Sequence, residues 1–234
     1  MPFSLDPRRM GWRELAVLVA VLTPAGLLYV FLQIVDEVRE GETVRFDEAV
    51  LLALRNPADT SDPIGPRWLE IAMRDFTSLG STTVLAFVTL AVTGYLIMAG
   101  KRGAALLVVL SAVGGTVLSN LFKAIFDRPR PDIVAHIVET STASFPSGHA
   151  MLSAVIYLTL GALLARVEKS AALKTYFLGL AVFLTLAIGA SRVYLGVHYP
   201  TDVLAGWSLG ATWAMLCWGI AWQLQRRGKV EKEN

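Results

Sequence analysis

Residues 145–166 read FPSGHAMLSAVIYLTLGALLAR, a polar turn, Phe145-Pro146-Ser147-Gly148-His149, that runs directly into an apolar stretch. About 20 residues of apolar helix are needed to cross a hydrocarbon core, and the segment 148–166 approaches that length. Five other stretches are comparable, near 14–35, 79–99, 104–126, 175–195 and 201–224. The chain as a whole, 234 residues with 54% hydrophobic and 17% charged side chains, is too apolar and too poor in charge for an ordinary soluble domain. Its mean hydropathy of +0.54 agrees. The expected fold class is therefore an all-α integral membrane protein, with six transmembrane helices in one domain over 1–234.

The basic residues fall in short clusters between the apolar runs, and the net charge is only +2. Such a distribution carries topology rather than a nucleic-acid surface, so no nucleic-acid partner is expected. Arg8, Arg9 and Arg13 precede the first span, Lys101 and Arg102 follow the second, and Arg166, Lys169 and Lys174 follow the fourth. Arg226, Arg227, Lys229 and Lys232 follow the sixth. By the positive-inside rule these segments are cytoplasmic, which places both termini inside a plasma (inner) membrane and the other three connections outside it. The first apolar run is long and lacks a small-residue cleavage site, so a retained span is expected rather than a signal peptide. Pro24 is expected to kink it. A charged tail, 225–234, is expected to be loose. The single cysteine, Cys217, excludes an intrachain disulfide and a cysteine-based metal site.

The connection 36–78 has its own pattern. Its arginines are offset by Asp36, Glu37, Glu40, Glu42, Asp47 and Glu48, while Phe46, Val50, Leu51 and Leu54 recur at helical spacing. Trp68, Ile71, Ala72, Phe76 and Leu79 repeat that spacing beyond the Pro- and Asp-rich stretch 56–63. Two short amphipathic helices at the outer surface account for this, either as packing that caps the bundle or as a gate for a lipid.

Three polar blocks interrupt the apolar pattern, and the topology sets all three on the outer side. The first runs from Lys123 through Asp127, Arg128 and Pro129 to Arg130-Pro131; the second is Phe145 to His149; the third runs from Ser191-Arg192 to His198 and Asp202. Lys123, Arg130 and Arg192 at one depth of a bilayer would repel one another unless an anion sat between them. A phosphate dianion satisfies all three, because arginine grips its oxygens in pairs and lysine adds a compact charge. Ser147 reads as the cap of a helix whose first amides, at Gly148 and His149, form an anion site. Glycine there lets a ligand approach the backbone. Two of the chain's three histidines, His149 and His198, lie in these blocks, and imidazole serves as nucleophile or general acid near neutral pH. Asp202, four residues after His198, is placed to orient its ring and stabilise charge on it. His136 fits no such arrangement and reads as a loop residue.

Taken together these residues resemble the type 2 phosphatidic acid phosphatase superfamily, which also includes vanadium haloperoxidases and glucose-6-phosphatase-like enzymes. Its pattern of Lys, six residues, Arg-Pro; Pro-Ser-Gly-His; and Ser-Arg, five residues, His, three residues, Asp is matched at every position by Lys123, Arg130-Pro131, Pro146 to His149, Ser191-Arg192, His198 and Asp202. The resemblance implies a metal-independent lipid phosphatase without cofactor. His198 is then the nucleophile that becomes phosphohistidine, Asp202 orients it, and His149 protonates the leaving oxygen and activates water. Lys123, Arg130, Arg192, Ser147 and the Gly148 amide hold the phosphoryl oxygens. The implied partners are membrane lipids and a lipid phosphate: phosphatidic acid, phosphatidylglycerol phosphate, undecaprenyl diphosphate or a lipid A phosphate. The motifs read the phosphoryl group alone, so phosphotransfer to another acceptor, a haloperoxidase, and a transporter or lipid-binding protein that does not hydrolyse stand as alternatives. The oligomeric state is not encoded in them.

Overall fold

The computed structural model describes residues 11–138 and 142–226. Arg8, Arg9, Arg227, Lys229 and Lys232 of the topology pattern, and the tail beyond Arg226, lie outside the described residues. Among the described residues eight helices and one small hairpin follow in the order α1 (Trp12–Glu40), α2 (Val44–Ala53), β1 (Arg55–Asn56), β2 (Asp59–Pro63), α3 (Arg67–Leu79), α4 (Thr82–Met98), α5 (Arg102–Phe126), α6 (Gly148–Val167), α7 (Ala171–Tyr194) and α8 (Pro200–Arg226). Five of them, α1, α5, α6, α7 and α8, are long and apolar enough to cross a membrane. The expected span near 79–99 is α4, which starts at Thr82 because the Ser81 hydroxyl caps it, accepting from the Val84 amide at 3.3 Å. α3 and α4 meet at a 50° bend and together supply a sixth crossing. Pro24 lies within α1, which continues through it as one element, and α8 includes Gln225 and Arg226, where the loose tail was expected to start.

The two amphipathic helices expected in 36–78 are α2 and α3. Between them, where only a separating stretch was expected, β1 and β2 pair antiparallel. The turn is closed by side chains, with Asp59 Oδ1 accepting from the Ser61 amide at 2.9 Å and Asn56 Nδ2 donating to Asp62 Oδ2 at 3.2 Å. Asp47 departs from the expected surface pattern: counted among the acidic residues that offset surface arginines, it is fully buried on the inner face of α2.

α6 is the central helix and packs on α4, α5, α7 and α8, while α1 lies along α8 and α3 along α7. The outward faces of the spans carry large apolar side chains such as Phe87, Leu90, Val117 and Ile220, all exposed, as expected of helices that meet lipid rather than water. Without a hydrophobic drive between helices in lipid, close approach depends on small residues. Gly206 and Gly210 on α8, four residues apart, meet the first turns of α6: a methyl on Gly206 would fall 2.8 Å from the Ser147 carbonyl, and one on Gly210 would strike the Met151 carbonyl. α8 makes two further contacts of one kind. The Trp207 indole covers Gly189 of α7 and donates to the Thr185 carbonyl at 3.0 Å, and Trp213 covers Gly114 of α5 and donates to the Ser111 carbonyl at 3.0 Å. Phe145, buried between Phe31 of α1 and Phe126 of α5, anchors the approach to α6, with ring centroids 6.3 and 5.1 Å away.

The end of α5, the start of α6, the end of α7 and the start of α8 therefore meet at one end of the bundle. Gly210→Leu should destabilise the protein by about 1–3 kcal/mol, the usual cost of overpacking, and lower its unfolding temperature in detergent. Gly94→Ala on α4, where an added methyl meets nothing within 4 Å, should not.

Candidate active site

At that end, the third block makes a turn and restarts as a helix. Gly196 allows the turn: its φ is +76°, and a methyl there would meet the Arg55 side chain and the Ala135 carbonyl. Helix α8 then begins with Pro200 as its first residue, which needs no amide partner there. Asp202, in its first turn, reaches back so that Oδ2 accepts from the Tyr199 amide at 2.9 Å, one half of a capping box. The same geometry directs its carboxylate at His198, whose Nδ1 lies 3.4 Å from Oδ2.

Both residues are secluded, His198 being 2% exposed and Asp202 0%. Asp202 is neutralised from several directions. Arg128 Nη1 donates to Oδ1 at 2.6 Å, and the Ser144 hydroxyl donates to Oδ2 in a short hydrogen bond. On its other side His198 presents Nε2 to Arg130 Nη1 at 3.3 Å. A guanidinium can only donate, so Nε2 carries the lone pair and the ring proton sits on Nδ1, toward the carboxylate. Burial lowers the His198 pKa to about 4, outweighing the pull of Asp202, and the ring is neutral at neutral pH.

The cations surround this ring. Lys123, in the last turn of α5, donates from Nζ to the Ala143 carbonyl and lies 3.4 Å from Thr142 Oγ1. Arg130 donates to the Thr142 carbonyl at 2.8 Å and the Val197 carbonyl at 2.5 Å, and burial lowers its pKa below the ordinary guanidinium value. Arg192, 4% exposed in the last turn of α7, donates to Thr77 Oγ1 of α3 at 2.8 Å, while its buried Nε has no hydrogen-bond partner among the described residues. Lys123, Arg130, Arg192 and His198 all lie within electrostatic reach of His149, at the start of α6. Ser147 caps that helix as expected, its hydroxyl accepting from the Ala150 amide at 3.5 Å. The Ser147 amide donates to the Asp202 carbonyl at 2.9 Å and so pins the starts of α6 and α8 together. A methyl on Gly148 would lie 3.5 Å from Ser119 Oγ and 3.6 Å from Lys123 Cε, an ordinary contact. Packing alone thus leaves room for a side chain at Gly148, on the side that faces Lys123.

All eight residues predicted from the motifs, Lys123, Arg130, Ser147, Gly148, His149, Arg192, His198 and Asp202, are gathered at this one end. His136 stands apart, its Nε2 2.6 Å from the Pro131 carbonyl. Four partners were not foreseen: Arg128, Ser144, Asp47 and Thr77. For Arg128 a signal existed, since it lies in the first block beside Arg130. For the others no local signal exists. Chemically the cluster offers a neutral, oriented imidazole whose free nitrogen faces donors, and an excess of cations. Among the described residues the four cations Lys123, Arg128, Arg130 and Arg192 stand against the two carboxylates Asp47 and Asp202, a net charge of +2, the charge that a phosphate dianion would balance.

Residues 104–226 match the PAP2 superfamily. The chain is 30% identical over 207 residues to phosphatidylglycerophosphatase B of Bacillus subtilis, a match that covers 87% of this chain and 97% of the relative. It is 31% identical over 131 residues to decaprenylphosphoryl-5-phosphoribose phosphatase of Mycobacterium tuberculosis, covering 55% of this chain and 67% of that one. Its fold is similar to the crystal structure of the transmembrane PAP2-type phosphatidylglycerolphosphate phosphatase from Bacillus subtilis, with a TM-score of 0.77 and 29% identity over 87% of this chain and 98% of the other. With its motif-bearing half matched as a unit and a relative aligned along nearly its whole length, the chain belongs to the PAP2 superfamily.

Proposed function

We propose that this multi-pass PAP2 lipid phosphatase hydrolyses a phosphate ester of a membrane lipid through a phosphohistidine at His198, with phosphatidylglycerol phosphate as the foremost substrate. One observation carries the reading: a neutral imidazole, held by a buried carboxylate, turns its free nitrogen toward Arg130, one of three cations here, with Lys123 and Arg192, that form no salt bridge among the described residues. In this account Lys123, Arg130 and Arg192 bind the phosphoryl oxygens together with the Gly148 amide at the start of α6, where the helix dipole also favours an anion. The unpartnered Arg192 Nε is satisfied by one of those oxygens. Ser147 acts by capping α6 and tying it to α8.

His198 Nε2 attacks phosphorus in line with the leaving oxygen. The P–O bond breaks, and His149 delivers a proton to the departing alcohol. Charge that spreads over the equatorial oxygens is met by cations already in place, so little reorganisation is needed. His149 then takes a proton from water, the water oxygen attacks phosphorus, and the N–P bond breaks to release inorganic phosphate and restore the imidazole. Asp202 stabilises the positive charge that develops on His198 in each step. The cations stand where a metal-dependent phosphatase would use an ion, and the residues assigned here need none.

Sidedness follows from the ends of the helices. Lys101, Arg102, Arg166, Lys169 and Lys174 flank the ends of α5, α6 and α7 remote from His198, which supports a cytoplasmic position for that end and an outer-face position for the site. Counting the bent α3–α4 pair as one crossing gives six among the described residues, an even number that supports the reading of both termini on the cytoplasmic side. The substrate assignment rests on the near full-length likeness to a phosphatidylglycerophosphatase.

Purified protein in detergent should release phosphate from phosphatidylglycerol phosphate faster than from phosphatidic acid, undecaprenyl diphosphate or a lipid A phosphate, and His198→Ala should abolish release while leaving the protein folded. Preference for another member of that panel overturns the substrate assignment, and full activity in His198→Ala overturns the mechanism. Turnover should persist in EDTA; dependence on added Mg²⁺ contradicts the metal-free site. By ¹⁵N NMR of the solubilised protein, the His198 ring should take up its proton near pH 4 and remain neutral at pH 6, whereas titration at or above the ordinary value of about 6.5 contradicts the buried neutral imidazole.

A further inference from the structure

One buried polar cluster lies beside the site, outside the residues assigned above to phosphate. Asp47 of α2 is fully buried, and both its oxygens are occupied: Oδ1 accepts from the Thr201 amide at 3.0 Å, and Oδ2 from Thr201 Oγ1 at 2.6 Å and Arg128 Nη2 at 2.9 Å. Arg128 extends its other nitrogen, Nη1, to Asp202 Oδ1 at 2.6 Å and Thr201 Oγ1 at 2.9 Å. Its guanidinium lies over the Tyr199 ring, 4.3 Å from the centroid. Burial costs this cation, and Asp202 and Asp47 more than offset that cost, so its pKa lies above the ordinary value.

The direction of each bond matters more than the count. Arg128 takes one oxygen of Asp202 and leaves the other for His198, Ser144 and the Tyr199 amide. A carboxylate free to rotate would exchange its oxygens among these donors, and His198 would lose its fixed acceptor. A planar guanidinium held at both ends prevents that rotation, which an ammonium, a point charge on a flexible stem, cannot do. Asp47 supplies the second end. It also satisfies the Thr201 amide, one of the unpaired donors in the first turn of α8, so that α2 holds the start of the helix that carries Asp202.

We propose that Asp47 and Arg128 are positioning residues of the phosphatase reaction: they fix the plane of the Asp202 carboxylate and, through it, hold His198 with its proton on Nδ1 and Nε2 toward phosphorus. The name of the reaction rests on the function proposed above; the geometry does not. The segment 36–78 thereby becomes part of the active site, and Asp47 lies outside the residues matched by the family, 104–226.

Two readouts on the full-length protein in detergent test this. Arg128→Gln and Asp47→Asn should each lower kcat about 10- to 100-fold, the range usual for residues that orient a reacting group, with KM for phosphatidylglycerol phosphate within about twofold of wild type. The double variant should be no worse than Arg128→Gln alone. In ¹⁵N spectra at neutral pH without substrate, the wild-type His198 should carry its proton on Nδ1, and both variants should show a mixture of tautomers. A rise in KM with the tautomer unchanged makes Arg128 a phosphate ligand and overturns the proposal, as does unchanged kcat in a folded variant. If neither variant folds, the wild-type spectrum decides, because a ring protonated on Nε2 contradicts the arrangement. The tautomer is read without turnover, so failure of the positioning claim is distinct from failure of the phosphatase reading.

Discussion

A carboxylate buried at the end of a membrane bundle cannot stay charged without donors around it, and Asp202 has drawn four. Arg128 and Ser144 come from the loop between α5 and α6, and the Tyr199 amide and His198 from the turn before α8. Each of these is held in turn. Arg128 is fixed by Asp47 of α2, the Ser144 amide by the Arg128 carbonyl at 2.8 Å, and the turn by Arg55, which donates to the Tyr194 carbonyl at 2.9 Å. Removing one partner of such a buried pair typically costs about 3–5 kcal/mol, because the other is left charged and unpaired. The need to satisfy one anion therefore organises loop, turn and outer segment together, and the imidazole is oriented as a consequence.

The cations on the far side of the imidazole obey the opposite rule. Lys123 and Arg130 rest on the neutral carbonyls of Thr142, Ala143 and Val197, and Arg192 on the Thr77 hydroxyl. Dipoles make such charges tolerable without neutralising them, so the described residues leave the site a net positive potential, suited to the phosphate proposed above. Lys123 and Arg192 also sit in the last turns of α5 and α7, where helix dipoles favour cations, while α6 and α8 present their positive ends to the same space. Among the described residues the anion is fully paired and these cations are not, and that division separates the orienting half of the proposed site from its binding half.

Much of this was legible in the sequence. Six apolar runs and three polar blocks placed the spans and gathered all eight motif residues, because hydrophobic length and local spacing are one-dimensional signals. The amphipathic spacing of Leu51 and of Phe76 likewise marked α2 and α3. What escaped was long-range. Asp47 looks like any other acid in a polar connection, and only folding sets it beside Arg128, 81 residues away. Ser144 and Thr77 gave no signal either, since a hydroxyl acquires meaning only from its neighbour. Gly206 and Gly210 were two small residues in an apolar run until packing against the start of α6 showed why nothing larger fits. The hairpin β1–β2 is too short and polar for alternation to reveal it.

If the oriented His198 itself receives the phosphoryl group, purified protein quenched in alkali during turnover of phosphatidylglycerol phosphate, with the phosphorylated residue mapped by mass spectrometry, should carry phosphate on His198 in the wild type and none in His198→Ala. Phosphate on another residue, or steady turnover with no phosphoenzyme on a timescale that resolves the reaction, would contradict a phosphohistidine at His198.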